Sequence, residues 1–288
     1  MAERTTFVSA RVTLVMCVFN QLPLTHACME SLRATSEPFN LVVIDNGSTD
    51  GTRDFFERYE YPFPLRYEPY GINTSVVASL NRAWRYAETD YLCLLHNDTE
   101  MGDPQWLSRL LAAFQEPDVG ITGLYGAKRV RRSGNFVGRT IVHSLAEGPT
   151  VKPPWEEVAV VDGVCMCLPR ELMEVIGGLD EGYGFIHGFD KDLSFAVRET
   201  GRRCLVVRAP FFHRGGGSRA HEFARRPDQE RSDLALRKRA INRFIQKWGH
   251  RLPCDVRPLR ERMRDWMGSK LLPATARMDA ARQTGKLA

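Results

Sequence analysis

Short apolar runs alternate with helical segments through the first hundred residues, and this alternation limits the chain to a small set of folds. The clearest runs are Val12–Val18, Leu41–Ile44 and Tyr91–Leu95, with a shorter one at Leu65–Glu68. Amphipathic patterns of helical period separate them. Strands of this length joined by helices predict a mainly parallel, right-handed sheet whose inner strands are covered on both faces.

Three of these runs lead directly into polar clusters, which are Phe19-Asn20, Asp45-Asn46-Gly47 and Asn97-Asp98. The carboxyl ends of parallel strands meet at one edge of a sheet, where open α/β folds bind their ligands. An acidic residue after the second strand suits a hydrogen bond to a ribose or base. Asp98 could hold a divalent cation that also contacts substrate phosphates. The alternative is that each cluster only caps the helix that follows it.

The chain lacks the glycine signatures of other nucleotide sites. No Gly-x-Gly-x-x-Gly follows the first strand and no Walker A sequence occurs, so a phosphate would be held through a metal ion instead. The seven cysteines are odd in number and several lie in apolar runs, which indicates reduced thiols and a cytoplasmic protein. No run of eighteen apolar residues occurs, so no transmembrane helix is predicted.

Two carboxylates and a histidine in the second half carry further chemistry. Asp190 and Asp192 stand at the predicted start of a helix near Lys191, so they point in different directions and need not share a role. A carboxylate that faces a cleft from such a position can take a proton from a hydroxyl nucleophile. His213 precedes a glycine run and can reach a metal through an imidazole nitrogen. An ordinary core or surface histidine is the alternative.

Charge is unevenly distributed along the chain. Residues 219–288 carry 18 Lys or Arg and 8 Asp or Glu, a net of +10, whereas residues 1–218 sum to −5. Such a basic tail indicates an anionic partner, for which membrane phospholipid, a lipid pyrophosphate and nucleic acid are candidates. A solvated helical face is the alternative. Helical patterns occupy Asp233–Trp248, which we expect to pack on the body, and Leu259–Leu272, which could pack or lie on a membrane.

Several of these segments together resemble one known family. Over roughly residues 10–220 the chain is similar to the inverting nucleotide-sugar glycosyltransferases of family 2, which have the A-type fold. Val43–Thr52 is the most specific match, to the family's second strand and turn. Leu95–Thr99 stands where the family has a short acidic metal motif, and Phe189–Leu193 resembles the segment whose first aspartate is the usual base. Gly177–Glu181 and His213–Ser218 resemble a Gly-Gly-aromatic-Asp-Glu loop and a late metal-binding histidine segment.

The resemblance implies roles for particular residues. The donor, a nucleoside diphosphate sugar, would be bound by Phe19, Asn20, Asp45, Asn46, Asn73, Asn97 and Asp98. Asp98 and His213 would hold Mg²⁺ or Mn²⁺ against the diphosphate. Asp190 would be the general base, with Asp180, Glu181 and His187 on the acceptor side. The acceptor would be a hydroxyl-bearing glycan, lipid-linked compound or small molecule in glycan, polysaccharide or glycoconjugate synthesis.

The chain departs from the family pattern at three positions. His96-Asn97-Asp98 has a single carboxylate where some members have two or three, which leaves the other ligand positions of the metal to phosphate, water and His213. Phe189 replaces the acidic residue before the base, and Leu179 replaces the common aromatic residue. The single-carboxylate form is similar to the rhamnosyltransferase-like branch and favours a deoxysugar donor.

The predicted architecture is α/β: a Rossmann-like, mainly parallel mixed sheet flanked by helices, with a basic helical C-terminal extension. We predict a catalytic domain over residues 1–218 and the extension over residues 219–288. The protein would be cytoplasmic, with the anionic inner face of a membrane as a candidate peripheral partner and no nucleic-acid partner. Two other hypotheses stay open, a nucleotide-sugar-binding protein without catalysis and a glycoside hydrolase, which needs paired carboxyl groups across the scissile bond.

Overall fold

The computed structural model describes residues 10–58, 60–136, 140–141, 143–144, 148–149, 154–215 and 233–271. Within these ranges the helices are α1 (Leu22–Leu32), α2 (Thr52–Arg58), α3 (Val76–Trp84), α4 (Trp106–Ala112), α5 (Arg170–Ile176), α6 (Phe189–Glu199), α7 (Asp233–Trp248) and α8 (Leu259–Leu271). The strands are β1 (Val12–Val18), β2 (Phe39–Asp45), β3 (Leu65–Pro69), β4 (Tyr91–Leu95), β5 (Thr99–Met101), β6 (Val119–Gly123), β7 (Gly126–Ala127), β8 (Arg129–Val130), β9 (Thr140–Ile141), β10 (His143–Ser144), β11 (Gly148–Pro149), β12 (Trp155–Val158), β13 (Val160–Val161), β14 (Cys165–Pro169), β15 (Arg203–Val207), β16 (Phe211–His213) and β17 (Cys254–Asp255).

The largest sheet brings the predicted strand ends together. Its eight strands run in the order β12-β15-β6-β14-β4-β1-β2-β3. β1 pairs in parallel with both β2 and β4, and β2 pairs in parallel with β3. β14 lies antiparallel between β4 and β6, which makes the sheet mixed. The predicted Rossmann-like, mainly parallel mixed sheet flanked by helices is therefore confirmed.

Each face of this sheet buries its own apolar cluster. Leu14 and Met16 of β1 belong to the cluster that also holds Trp106 of α4. The intervening Val15 belongs to the opposite cluster, with Leu80 of α3. Successive side chains of a strand point to opposite faces, so a strand covered on both sides must be apolar throughout. This explains why the sequence of β1 is a continuous apolar run.

The start of α3 is set by a cap and shapes the cleft. The helix begins at Val76, because the Ser75 side chain accepts a hydrogen bond from the Ala78 amide. Asn73 and Thr74 stay outside the helix. Both therefore form hydrogen bonds with Asn46, which directly follows β2.

A small second sheet has the strand order β11-β10-β16-β5 and brings His213 to the carboxyl end of β4. β5 begins directly after Asp98 and pairs antiparallel with β16, placing His213 opposite Thr99. The Arg214 amide also donates a hydrogen bond to the Asp98 carbonyl, at 3.1 Å. Two segments that are far apart in the sequence are thus held side by side.

The first basic helix packs on the body, as the sequence predicts. Ala240, Phe244 and Trp248 of α7 join a third apolar cluster with Phe195 of α6 and Tyr183. The predicted domain boundary between residues 218 and 219 lies outside the described residues. Among the described helices, none is long and apolar enough to cross a membrane.

Candidate active site

A cleft of about 310 Å³ opens at the carboxyl ends of the parallel strands. Its size lies within the usual range for small-molecule sites. Apolar walls come from α3 and from the segment before α6, and polar groups converge on one side. The lining residues are Cys17, Phe19, Asn46, Asn73, Val76, Leu80, Leu94, Leu95, His96, Asn97, Asp98, Asp162, Gly163, Phe185, Ile186, His187, Gly188, Phe189, Asp190 and His213.

Asp98 lies between two imidazole rings in this cleft. Asp98 Oδ1 is 3.2 Å from His213 Nε2 and 3.8 Å from His96 Nδ1. The two ring centroids are 5.6 Å apart. The pairing of β5 with β16 produces this arrangement, because it brings His213 beside the end of β4. The structure thus brings together the two residues predicted as metal ligands and adds His96, which sequence reasoning did not assign.

The charges in this cluster favour an ionised carboxylate and a neutral ring. Burial acts to raise the pKa of Asp98, but the hydrogen bond from His213 and the nearby charges of both histidines outweigh it and hold that pKa below its usual range. Burial lowers the pKa of His96, against the opposing effect of Asp98. Both groups are therefore in the protonation states that bind a cation near neutral pH.

The three side chains fit a divalent cation. Each offers one ligand atom, and these atoms all lie within 4.8 Å of one another. One carboxylate oxygen and two imidazole nitrogens are donors that first-row divalent metals accept. All three residues line the cleft.

Asp190 is the second residue of α6 and lines the same cleft. Its Oδ1 accepts a hydrogen bond from the Lys191 amide at 2.8 Å, which fixes the carboxylate at the helix N-terminus. Gly188 precedes the helix with φ of 88°, and a Cβ there would lie 2.6 Å from the Tyr183 ring. Glycine is required at that turn on both counts. The turn therefore directs Asp190 into the cleft.

Asp192 points away from the cleft, as the helical spacing predicts. Its carboxylate accepts hydrogen bonds from the Trp248 indole at 2.7 Å, the Tyr183 hydroxyl at 3.0 Å and Lys247 Nζ at 3.0 Å. Asp192 is 4% exposed. The carboxylate holds α7 against α6, so the two aspartates have separate roles.

A second cleft carboxylate, Asp162, was not found by sequence reasoning. It lies before β14, and its Oδ1 accepts a hydrogen bond from the Val164 amide at 3.0 Å. Burial, reinforced by the negative charge of Asp190, raises the pKa of Asp162 to about 7. The sequence signal that could have indicated this carboxylate is the pair Asp162-Gly163, which stands directly before an apolar run. The antiparallel pairing that brings it to the cleft edge is non-local.

The predicted donor-side residues mostly bond to one another. Asp45 accepts hydrogen bonds from the Tyr67 hydroxyl at 2.5 Å and from the Gly47 and Ser48 amides at 3.1 and 2.8 Å. The Asn20 side chain accepts from the Thr49 amide at 2.8 Å. Asp45 and Asn20 are not among the residues that line the cleft, although Phe19 is. These side chains order the turn after β2, and their contact with a donor stays a prediction.

Asn46, Asn73 and Asn97 do line the cleft, yet their amides have protein partners. Asn46 Nδ2 donates to Asn73 Oδ1 at 3.0 Å, and Asn46 Oδ1 accepts from the Thr74 amide at 3.1 Å. Asn97 Nδ2 donates to Thr25 Oγ1 at 2.9 Å. These contacts tie the strand ends to the loop before α3 and to α1. They make the cleft wall rigid before any ligand binds.

The predicted acceptor-side residues separate into two places. Asp180 is bound by Arg243 Nη2 at 2.7 Å and Lys247 Nζ at 3.0 Å, and Glu181 accepts from Asn81 Nδ2 at 2.9 Å. Neither lines the cleft, whereas His187 does. His187 Nε2 lies 2.6 Å from Asp233 Oδ1 of α7. Contact of any of the three with an acceptor stays a prediction.

Residues 13–174, more than half of the chain, match the glycosyl transferase family 2 domain. The chain belongs to this family. A curated relative, the O-antigen biosynthesis protein RfbC of Myxococcus xanthus, is 32% identical over 155 residues, which are 49% of this chain and 12% of that protein. The chain spans at most 25% of the length of the first two curated relatives it matches.

Solved structures share the fold at low sequence identity. The mannosyltransferase PcManGT from Pyrobaculum calidifontis, in complex with GDP-Man and Mn²⁺, superposes with a TM-score of 0.53 at 18% identity, covering 83% of this chain and 70% of that one. GalNAc-T7 with UDP, GalNAc and Mn²⁺ gives a TM-score of 0.59 at 13% identity, covering 84% and 56%. The A-type glycosyltransferase fold of the chain is thereby established.

Proposed function

We propose that this chain transfers a sugar from a nucleoside diphosphate sugar to an acceptor hydroxyl, with inversion at the anomeric carbon. The observation that carries the proposal is the shared cleft of Asp190 and the His96-Asp98-His213 cluster. The carboxylate at the helix terminus suits an acceptor hydroxyl, and the cation-binding group suits the diphosphate that leaves. Family membership supports the same reaction.

Asp190 is the general base in this proposal. Its carboxylate takes the proton of the acceptor hydroxyl while that oxygen forms a bond to the anomeric carbon. The bond from the anomeric carbon to the diphosphate oxygen breaks on the opposite face, and the nucleoside diphosphate leaves. His187 lies two residues before α6 and is bound to Asp233, and in this proposal it orients the acceptor.

The cluster at the end of β4 acts at the other end of the reaction. His96, Asp98 and His213 would hold a divalent cation, which neutralises the charge that develops on the leaving diphosphate. Phe19, Asn46, Asn73 and Asn97 line the wall where the nucleotide would lie. Asn20 and Asp45 support that wall through the turn after β2. Holding both reactants in one rigid cleft supplies much of the rate enhancement.

A panel of nucleotide sugars tests the proposal. We expect at least one UDP-, GDP- or dTDP-sugar to raise the melting temperature, and to do so more strongly with Mn²⁺ than without it. Release of nucleoside diphosphate on addition of acceptor should follow. Tight binding with no turnover on any acceptor would instead indicate a binding protein without catalysis, and release of the sugar to water alone would indicate a hydrolase.

We also propose that residues 1–218 form the catalytic domain and that the extension, residues 219–288, docks on the cytoplasmic face of an anionic membrane. Four large apolar residues of α8 are strongly exposed, namely Leu259, Met263, Trp266 and Met267. At 3.6 residues per turn they fall on one side of the helix. Glu261, on the opposite side, binds buried Lys128 at 3.0 Å and so holds α8 to the body.

Charge favours an anionic surface over a neutral one. Arg260 and Arg262 flank the apolar side of α8, one on each edge, and Arg264 is also exposed. An amphipathic helix with basic residues beside its apolar face binds the interface of anionic membranes. A lipid-linked acceptor would then be presented to the cleft from the membrane surface.

A further inference from the structure

We propose that Asp233 of α7 is a positioning residue for the acceptor: it holds the His187 side chain in place at the cleft, so that acceptor binding depends on the C-terminal extension. The inference rests on the proposed function, because it concerns the acceptor of that reaction. It goes further, because it gives a residue of the extension a role in the reaction.

The backbone around His187 does not by itself fix the imidazole ring. His187 lies between the short turn at Glu181–Tyr183 and α6, where the chain forms no helix or strand. The Phe185 carbonyl accepts a hydrogen bond from the Val76 amide at 2.9 Å, which anchors this segment to the start of α3. That bond lies two residues before His187, so it leaves the rotamers of the His187 side chain open. A side-chain contact is needed to hold the imidazole at the cleft, which it lines.

Asp233 supplies that contact from the first residue of α7. Its Oδ1 lies 2.6 Å from His187 Nε2, a short distance of the kind found in charge-assisted hydrogen bonds. Its Oδ2 accepts a hydrogen bond from Arg237 Nε at 2.7 Å, one helical turn later. Each carboxylate oxygen thus has a partner, and the imidazole cannot turn without breaking its bond to Asp233. A carboxylate bound to one ring nitrogen also sets which nitrogen carries the proton.

The position of α7 does not depend on the contact with His187. Further along the helix, Arg243 Nη2 binds Asp180 at 2.7 Å and the Phe244 side chain is fully buried. These contacts fix where the first turn of α7 lies, and with it Asp233. Removal of the Asp233 carboxylate should therefore free the imidazole without undocking the helix.

Asp233 does not line the cleft itself, so it acts on the acceptor through His187. In the proposed reaction His187 serves the acceptor and the cation cluster serves the diphosphate. We therefore expect loss of the Asp233 carboxylate to weaken acceptor binding and to leave donor binding unchanged. The other explanation is an acidic residue that only stabilises the first turn of a helix, and it predicts no change in the binding of either substrate.

Steady-state kinetics of the whole chain test this with the nucleotide sugar that binds in the panel and with octyl glycosides and oligosaccharides as acceptors. We expect Asp233→Ala to raise the acceptor KM about tenfold. The affinity for the matching nucleoside diphosphate with Mn²⁺, measured by calorimetry, should stay within about twofold. Asp233→Asn keeps an oxygen that can accept a hydrogen bond from the ring and should restore part of the loss. In a His187→Gln background, Asp233→Ala should raise the KM no further, as expected of two residues that act as one unit.

Glu57→Ala, which breaks an exposed pair with Arg53 one turn apart in α2, is the matched control and should change neither quantity. An unchanged acceptor KM in folded Asp233→Ala, or a rise of the same size in the His187→Gln background, would overturn the inference while leaving sugar transfer intact. A loss of donor affinity as large as the rise in acceptor KM would show a general disturbance of the cleft and would also overturn it. Absence of transfer by the wild type to any acceptor hydroxyl would overturn the proposed function together with this inference.

Discussion

Asp162 and Asp190 place two carboxyl groups in one cleft at the end of the sheet. Burial and the charge of Asp190 raise the pKa of Asp162 to about 7, so Asp162 is a partly protonated group near neutral pH. Asp190 is fixed by the Lys191 amide and is free to face a substrate hydroxyl.

The raised pKa of Asp162 predicts a pH-dependent stability. The folded protein binds a proton at Asp162 more tightly than the unfolded chain, so this contribution is complete below about pH 4 and is lost as the pH rises through about 7. Asp162→Asn removes the cost of the buried charge. We expect the variant to gain on the order of 2 kcal/mol over the wild type at pH 8 and nothing from this source at pH 4.

Urea denaturation at the two pH values measures this difference. Asp54→Asn, at an exposed position of α2, is the control and should show no such change between pH 4 and pH 8. An equal effect of Asp162→Asn at both pH values would show that packing, and not ionisation, sets its stability.

At the scale of elements, α6 connects the cleft to α7. Its second residue faces the cleft, while Asp192 binds Trp248 and Lys247 of α7. Asp180 forms a further ion pair with Arg243 of α7. Since the turn at Gly188 also packs beside Ala240 of α7, docking of this helix supports the position of Asp190.

Asp192→Asn should weaken that docking. The substitution removes the charge that binds Lys247 within a buried network, and we expect a loss of about 1–3 kcal/mol in the free energy of unfolding together with faster amide exchange in α7. Glu199→Gln breaks an exposed pair between the end of α6 and Arg251, which follows α7, and should cost much less. Equal losses for the two variants would mean that Asp192 is not the main contact.

Local patterns predicted the parallel strands well. The predicted bounds of β1 and β4 agree with those in the structure, because a strand covered on both faces is apolar along its whole length. The antiparallel β14 and the pairing of β5 with β16 were not predicted, since neither depends on neighbouring residues. Asp98, His213 and Asp190 could be assigned through family resemblance. His96 and Asp162 could not, because non-local pairing alone shows that they share the cleft.

At the scale of the whole molecule, charge and apolar surface are both concentrated in the C-terminal extension. The apolar side of α8 is opposite the side that binds Lys128, so it faces outward from the body. The cleft is formed by a different part of the chain. The extension could therefore bind a surface without entering the cleft.

Liposome flotation tests the membrane proposal. We expect the chain to float with anionic vesicles at low salt and much less with neutral vesicles or at high salt. Met263→Glu should reduce flotation at least about threefold by charging the apolar side of α8. Val175→Glu is the matched control, because Val175 of α5 is also an exposed apolar residue, at 71% against 52% for Met263. Flotation that is the same on neutral vesicles, or unaffected by Met263→Glu, would argue against this surface.

The most direct test of sugar transfer is the turnover of Asp190→Asn with the nucleotide sugar that binds in the panel. The amide keeps the shape of the carboxylate but cannot accept the proton, so turnover should fall about a hundredfold or more. Donor affinity measured by calorimetry should stay within about twofold, because Asp190 faces the acceptor. Glu171→Gln, at the equivalent exposed position of α5, should keep full turnover. Full turnover in folded Asp190→Asn would contradict the account.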